Sequence, residues 1–430
     1  MRFVILVAVG LSAGAFAQGK RVIDVNEAVN LAVGSSPRLR AAQLQKEGLD
    51  DQAKSVRGRM LPLIALNDEA QHYRREFAIQ FGPQRFVARN QDTNTFVAAA
   101  DQPLTGLLGL YKQYESVDAS SLAAEAARRG GVRALEEAVR TGYLRYFEAK
   151  AAEDIAAASV QQLGEQKETA NARLKAGAGT NADVLRVDVA VANAKQQVLA
   201  AKSQEASTRA ALLIAMGFDK DDGTVEFTEP TALEEASPKL IAEEQAQQLA
   251  ATQRDEVQRA KYEHIAAENG AWNKKWALLP QIDAEAAWVN VQGQIFAPAN
   301  SSYVGLKASW PVWEWGATFY AARAADRQAD AAKANIEDQE RSVRQEASSR
   351  LAELTAAVSA VDVAQTAIAS AEEAYRVTQA LVKAGSATTT DLLDSQAALT
   401  QARLNLARAR YERAIANVSL ERSIGTTAEK

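Results

Sequence analysis

The phrase KAGAGTNADVL starting at Lys175 returns as KAGSATTTDLL starting at Lys383, an offset of 208 residues. The same offset matches Asp183 with Asp391, Leu185 with Leu393, Ala190 with Ala398, Leu212 with Leu420 and Gly217 with Gly425, without a gap. Upstream, Leu61-Pro62 answers Leu279-Pro280 at an offset of 218, as Pro37-Arg38-Leu39 answers Asp255-Glu256-Val257. Pro103 and Pro311 are again 208 apart, so the first copy carries ten extra residues between its two prolines. Solenoid repeats run about 20 to 50 residues, so a period this long is a duplicated domain. The fold is built twice, and the two copies are expected to merge into one body.

The duplication divides the chain. A signal peptide is expected over residues 1–17, because a basic residue and an apolar run precede the small-residue site Ala15-Phe16-Ala17, with the mature chain starting near Gln18. The first repeat then covers residues 18–217, with a β-hairpin about 62–103 and a long helical hairpin over 104–217. A linker over 218–238 leads to the second repeat, 239–425, with a β-hairpin about 280–311, a helical hairpin over 312–425 and a tail at 426–430.

The helices are legible from what they lack. From Ala317 to Ala384, 68 residues pass without a Gly or Pro. At 1.5 Å per residue that predicts a helix of roughly 100 Å, against the usual 11 or 12 residues of a globular helix. Its counterpart, Leu107 to Lys175, contains Gly130, Gly131, Gly142 and Gly164, each costing about 1 kcal/mol in a helix interior, so it reads as helix prone to kinks. After each KAG the helical pattern resumes. Leu392, Leu399 and Leu406 form one series spaced by seven, and Ala397, Leu404, Tyr411 and Val418 form another. Seven-residue spacing marks coiled-coil packing, and two series on different faces let one helix pack neighbours on both sides. Lys before Gly stops a helix, with Gly in the left-handed conformation and Lys facing the dipole. Thr180-x-x-Asp183 and Thr388-x-x-Asp391 then start the return helices as capping boxes.

The segments between the paired prolines have a period of two. Ile282, Ala284, Ala286 and Trp288 alternate with Asp283, Glu285, Ala287 and Val289, and Val304, Leu306, Ala308 and Trp310 with Tyr303, Gly305, Lys307 and Ser309. Strands are expected from Gln281 to Val291 and from Ser302 to Trp310. These lengths suit tilted membrane-crossing strands of about 9 to 11 residues, with Trp288, Trp310, Trp313 and Trp315 as membrane-interface aromatics. In the first copy Phe96, Ala98 and Ala100 alternate, whereas QHYRREFAIQFGPQRFVARNQD reads as the longer, polar loop. Four strands per chain cannot close a barrel, and open edges are not tolerated in lipid, so the reading requires an oligomer.

Composition closes off other classes. The chain has no Cys, hence no disulfide framework, thiol nucleophile or Cys metal site. A net charge of −5 with both signs interleaved argues against a nucleic-acid partner. No apolar run past the signal approaches the ~20 residues of a spanning helix; AALLIAM, ending at Met216, is the longest seen. His72 and His264 do not make a metal pair, and KAGAGT lacks the residue order of a phosphate loop. DKDDGTVEF has its Gly223 one position early for a calcium loop and reads as a solvated linker. No catalytic constellation, metal site or cofactor is expected, and the protein is not read as an enzyme.

The order of helices, LP, strand hairpin, Pro, very long helix, KAG turn and return helix, all duplicated, resembles the TolC-like outer-membrane efflux protein family over essentially the whole mature chain. The phrases that carry it are DVNEAVNLAVGSSPRLRAA, each LP, WPVWEWG and above all KAGSATTTDLLDSQAALTQARLNLARARYERAIANVSLERSIG. The resemblance implies a mainly α fold with a small β part: a homotrimer whose 12-stranded β-barrel, four strands per chain, sits in outer membrane lipid of a Gram-negative cell. A long α-helical coiled-coil barrel continues from it into the periplasm. It implies a passive exit duct for a tripartite efflux pump or type I secretion system, opened at its periplasmic tips by a periplasmic adaptor (a membrane fusion protein) and an inner-membrane pump. The adaptor-contacting tips would be Lys175, Gly177, Lys383 and Gly385 with their flanks, and the channel constriction Asp391, Asp394 and Asp183. The positions of a Tyr and an Arg that lock a closed form are here Val382 and Ala387. Asp183 and Asp391 are equally explained as helix caps, whereas Asp394 lies beyond the reach of a cap. A soluble periplasmic coiled-coil scaffold or adaptor is the alternative, and the strand segments discriminate against it.

Overall fold

The computed structural model describes residues 21–230 and 240–426. The expected signal peptide, residues 231–239 and the last four residues lie outside the described residues. The first half of the chain runs β1 (Arg21–Ile23), α1 (Val25–Ser35), α2 (Pro37–Gly58), β2 (Leu63–His72), β3 (Phe77–Phe81), β4 (Gln84–Pro103), α3 (Gly106–Lys175) and α4 (Asn181–Ala215). The second runs β5 (Val225–Phe227), α5 (Glu243–Gln253), α6 (Asp255–Trp276), β6 (Gln281–Gln294), β7 (Asn300–Ser309), α7 (Ala317–Lys383) and α8 (Thr389–Ser423).

The long helices form where expected, with α7 at 67 residues and α3 at 70. The glycines of α3 do not interrupt it. At Gly130 and Gly131 an added Cβ would stand 3.5 Å from Asp255 Cβ and 3.4 Å from Leu39 Cδ2, ordinary contact distances, so α6 and α2 pack closely on α3 here. Buried α7 positions Ala347, Leu354 and Val361 recur by seven. Contrary to the expectation of no long apolar stretch, part of α7 reaches a mean hydropathy of 1.3 over 18 residues. Alanine accounts for this: a coiled coil needs small residues along its seam, and they raise hydropathy without supplying a membrane-length run of large side chains.

Contacts divide the chain into two compact units. The first comprises the described residues within Met1–Ser36, Ala134–Leu240 and Arg350–Arg422. Its core gathers Tyr143, Tyr146 and Phe147 of α3, Leu212 and Leu213 of α4, Tyr411 of α8, and Ile23 and Phe227 of two short strands. Those strands, β1 and β5, pair in parallel with Ile23 opposite Phe227, a sheet the sequence did not suggest. VEF of the expected linker is thus partly buried strand, while the acidic residues before it stay exposed: Asp221 pairs with Arg209, and Asp222 accepts from the Thr224 N–H at 3.0 Å. The hydroxyl of Tyr143 lies 2.9 Å from the Ile23 carbonyl oxygen and 2.6 Å from that of Thr228, fastening both strands to α3. Its burial pushes the phenol well above its ordinary pKa.

The second unit comprises the described residues within Pro37–Arg133, Ile241–Ser349 and Ser423–Lys430. Here α2 and α6 pack on α3 through Ser121 to Asp50 at 2.5 Å, Ser116 to the Ala266 carbonyl at 2.7 Å and Asn273 to the Gly109 carbonyl at 2.6 Å. Arg254 is buried between Glu256 and Glu346, a paired charge that satisfies an otherwise costly burial. The sheet of this unit has the order β2-β4-β6-β7, with β3 paired to β4 alone. β3 corrects the sequence reading: the stretch expected as a loop forms a hairpin of five-residue β3 and the start of β4, turning at Gly82-Pro83 with Gly82 at φ 60. Phe77, Ile79 and Phe81 do alternate with Ala78 and Gln80, but the surrounding arginines masked the period.

Candidate functional site

Two places concentrate the expected site residues, the sheet of the second unit and the helical turns of the first. In the sheet, antiparallel register sets Ile64 beside Ala100, Ala100 beside Ala286 and Ala286 beside Val304. Neighbouring rows set Leu66, Ala98 and Trp288 together, then Ala284 beside Leu306 and Ile282 beside Ala308. Because cross-strand partners share a face, these residues make one continuous apolar surface, and Phe96 meets the Trp288 ring at 5.9 Å on it. Val304 is 85% exposed and Leu306 72%, a surface that water would not tolerate at this size. The opposite face carries Asp101 across from Glu285, Asp283 across from Lys307, and Tyr303, whose hydroxyl donates to Glu285 Oε1 at 2.7 Å.

Each sheet edge is unpaired among the described residues: β2 bonds only β4, and β7 only β6. Trp310 follows β7 and donates its indole N–H to the Leu278 carbonyl at 3.3 Å, while Trp313 and Trp315 stack edge-on at 5.6 Å just beyond. Trp288 is opposite Ser302, eight residues from Trp310 along the chain. At about 3.3 Å per residue that is roughly 26 Å along the strand, or about 20 Å along the membrane normal at a tilt near 40°, within the ~25 Å apolar band of a barrel. β6 runs to Gln294, so Trp288 lies inside the strand and not near its end as expected.

At the two helical turns the duplicated phrase has one physical meaning. The Gly177 N–H donates to the Leu174 carbonyl and the Ala178 N–H to that of Arg173; Gly385 to Val382 and Ser386 to Leu381 repeat the pattern. Gly177 and Gly385 have φ of 70 and 77, and an added Cβ would meet nothing within 4 Å, so the left-handed backbone alone requires glycine. Lys175 and Lys383 are the last helical residues before these stops. The return helices start as capping boxes at Thr180 with Asp183 and at Thr388 with Asp391. Hydrogen bonds from each threonine hold both carboxyls below their ordinary pKa. The turns touch each other where Arg186 Nη1 donates to Thr390 Oγ1 at 3.2 Å. Asp394, one turn into α8, is exposed, and its carboxylate makes no hydrogen bond or ion pair among the described residues. Val382 is buried and Ala387 half-buried.

A polar seam behind these turns was not anticipated. Gln396 is 2% exposed and donates to Gln162 Oε1 at 2.5 Å, and Thr400 reaches Ser159 at 3.4 Å. Gln166 donates to the Tyr375 hydroxyl at 3.2 Å, and the side-chain oxygens of Gln396 and Gln166 are buried without a partner. Polar Ser159, Gln162 and Gln166 at spacings of three and four, where a coiled-coil seam expects apolar residues, is the signal that would have found it. Of the seven-residue series in α8, Leu399 and Leu406 are buried and Leu392 half-buried. The other has Ala397 exposed, Leu404 and Val418 half-buried and only Tyr411 buried, leaving much of a second face uncovered within one chain.

The sequence profile described as outer membrane efflux protein matches residues 28–218 and 246–426, once per repeat. The outer membrane efflux protein BepC of Brucella suis biovar 1 is 26% identical over 266 residues, 61% of this chain and 57% of BepC. The outer membrane protein TolC of Escherichia coli is 28% identical over 127 residues, 30% of this chain and 26% of TolC. The matched parts thus span less than two thirds of either curated relative. Among solved structures, CusC, described for its folding and transmembrane channel formation, superposes with a TM-score of 0.82 at 17% identity, covering 94% of this chain and 92% of that one. That likeness carries the fold.

Proposed function

Because the chain belongs to the outer membrane efflux protein family, we propose that it is a passive exit duct that spans the outer membrane as a homotrimer and extends into the periplasm. The observation that carries this reading is the sheet with one apolar face and two open edges. β2 runs parallel to β6, and β7 antiparallel to both, so the β7 edge of one copy can pair antiparallel with the β2 edge of the next. Such head-to-tail contacts close into rings. Two copies would give about eight strands, whose interior side chains fill, whereas three give twelve and leave an aqueous lumen. The Asp101, Glu285 and Lys307 face would line that lumen and the Trp288 and Trp310 face would meet lipid.

The turns at Lys175, Gly177, Lys383 and Gly385 are the contact points for a periplasmic adaptor, and an inner-membrane pump supplies the energy. Asp394 is the constriction residue in this reading: three unpaired carboxylates in a narrow neck repel one another and attract cations. Asp183 and Asp391 contribute charge there while serving as caps. With Val382 and Ala387 at the lock positions, closure rests on other contacts, for which the Gln162–Gln396 seam supplies a physical basis.

The test is planar-bilayer conductance of the purified mature protein extracted in detergent. Discrete, cation-preferring steps are expected. A protein that stays in solution without detergent and leaves the bilayer silent would instead be a periplasmic coiled-coil scaffold.

A further inference from the structure

The hairpin of β3 and the start of β4 stands off the β2-β4-β6-β7 path of the sheet. It lies beyond the His72–Asp92 end of the β2 ladder, at the end of the sheet opposite to where α3 and α7 leave it. Between Tyr73 and Asn90 it holds four arginines against one glutamate in a chain of net charge −5. Arg85 pairs with Glu76, and Arg89 stacks over the Tyr73 ring at 3.4 Å with its Nε lacking a partner. Arg74 and Arg75 are exposed and unpaired among the described residues. Register puts Ile79 beside Phe86 and Phe81 beside Gln84 on one face, where the rings of Phe81 and Phe86 stand 6.2 Å apart, and both are exposed, as is Phe77.

We propose that this hairpin binds the phosphorylated sugar headgroup of an anionic glycolipid in the outer leaflet. The proposal rests on the duct reading for which end of the sheet faces the cell exterior. Guanidinium groups bind phosphate bidentately, which makes arginine better suited here than lysine. The exposed Phe77 lies across the ladder from Arg89, and a flat apolar ring beside a guanidinium suits the C–H faces of sugars. Height agrees as well. Arg89 pairs with Gln294, six residues beyond Trp288 on β6. At about 3.3 Å per residue and a tilt near 40° the hairpin base stands roughly 15 Å above the tryptophan level, where headgroups lie and acyl chains do not. The hairpin belongs to the same sheet as the lipid-facing surface, so it meets lipid headgroups without leaving the barrel wall.

The experiment uses the full mature protein in phosphatidylcholine nanodiscs and two soluble probes, a glucosamine disaccharide bisphosphate and the same disaccharide without phosphates. The protein is expected to bind the bisphosphate at least about tenfold more tightly, and Arg74→Gln with Arg75→Gln to lose about that factor, since the charge-assisted bonds to phosphate are what the two probes differ in. Phe77→Ser should weaken both probes together. Equal binding of the two probes, or binding unchanged by the arginine substitutions, overturns the proposal. So does a double variant that alters conductance but not probe binding, which would make the hairpin a cover for the pore. Conductance of the same preparation is measured in parallel, so a failure here with normal channel steps leaves the duct reading intact.

Discussion

Thr388 and Asp391 hold each other at the start of α8: the Thr388 N–H donates to Asp391 Oδ2 at 2.8 Å, and the Asp391 N–H donates to Thr388 Oγ1 at 3.2 Å. Thr180 and Asp183 repeat the exchange at 3.1 and 3.2 Å. Two of the three carboxylates expected at the constriction are therefore engaged in starting helices, and Asp394 is the one whose charge serves no local bond. Structure and conduction can be separated by substitution.

The caps should be sensitive to acid. Both aspartates have pKa values lowered from 3.8 by their threonines, so their contribution is complete above that value and is lost as pH falls through the lower folded one. Asp391→Ala should speed amide exchange in the first turn of α8 near neutral pH. The difference from the parent should shrink as pH is taken below the ordinary carboxylate range. Equal exchange in parent and variant at neutral pH would mean that the cap does not hold the turn.

Asp394→Asn should not lower thermal stability, because the side chain has no partner to lose and the mutual repulsion of three carboxylates is removed. In planar bilayers the same variant should lower the preference for potassium over chloride, whereas Thr388→Ala should leave that preference in place while loosening the turn. A selectivity change with Thr388→Ala and none with Asp394→Asn would reverse the two roles.

How much of this was open to sequence reading follows from which signals are local. Long helices, Schellman stops at Gly177 and Gly385, and threonine caps each depend on a few neighbouring residues, so the duplicated phrase displayed them twice. Period two revealed β6 and β7 because Asp283, Glu285 and Lys307 interrupt the apolar positions. β3 was missed because Arg74, Arg75 and Arg85 outweighed the alternation of Phe77, Ile79 and Phe81. Non-local features left no such trace: the pairing of β1 with β5 joins residues some two hundred positions apart, and Gln396 looks like a surface residue until α3 covers it.

The two faces of the sheet should respond oppositely to charge. Leu306→Arg places a cation in the middle of the apolar face, at a cost of about 2 to 4 kcal/mol at the bilayer midplane. Ser301→Arg, on the face shared with Tyr303 and Lys307, should be tolerated, since that side meets water. The measurement is the yield of detergent-extracted oligomer resistant to dissociation in mild denaturant. Similar yields for the two variants would put water on both faces and remove the support for a barrel.

The polar seam behind the turns makes the sharpest prediction about opening. Gln396 is buried with its Oε1 unpartnered, and such an oxygen costs about 1 to 3 kcal/mol. Gln396→Leu removes that oxygen at nearly constant volume, while the bond it forfeits leaves Gln162, which is only half-buried and can turn to water. The variant should melt higher than the parent by an amount corresponding to about 1 kcal/mol. An apolar seam is also harder to separate in water than a polar one, so its channels should open less often in the bilayer. A lower melting point would show that Oε1 has a bound water or a neighbouring subunit as its partner in the assembled protein, and the seam would then be a joint between chains and not a weak point within one.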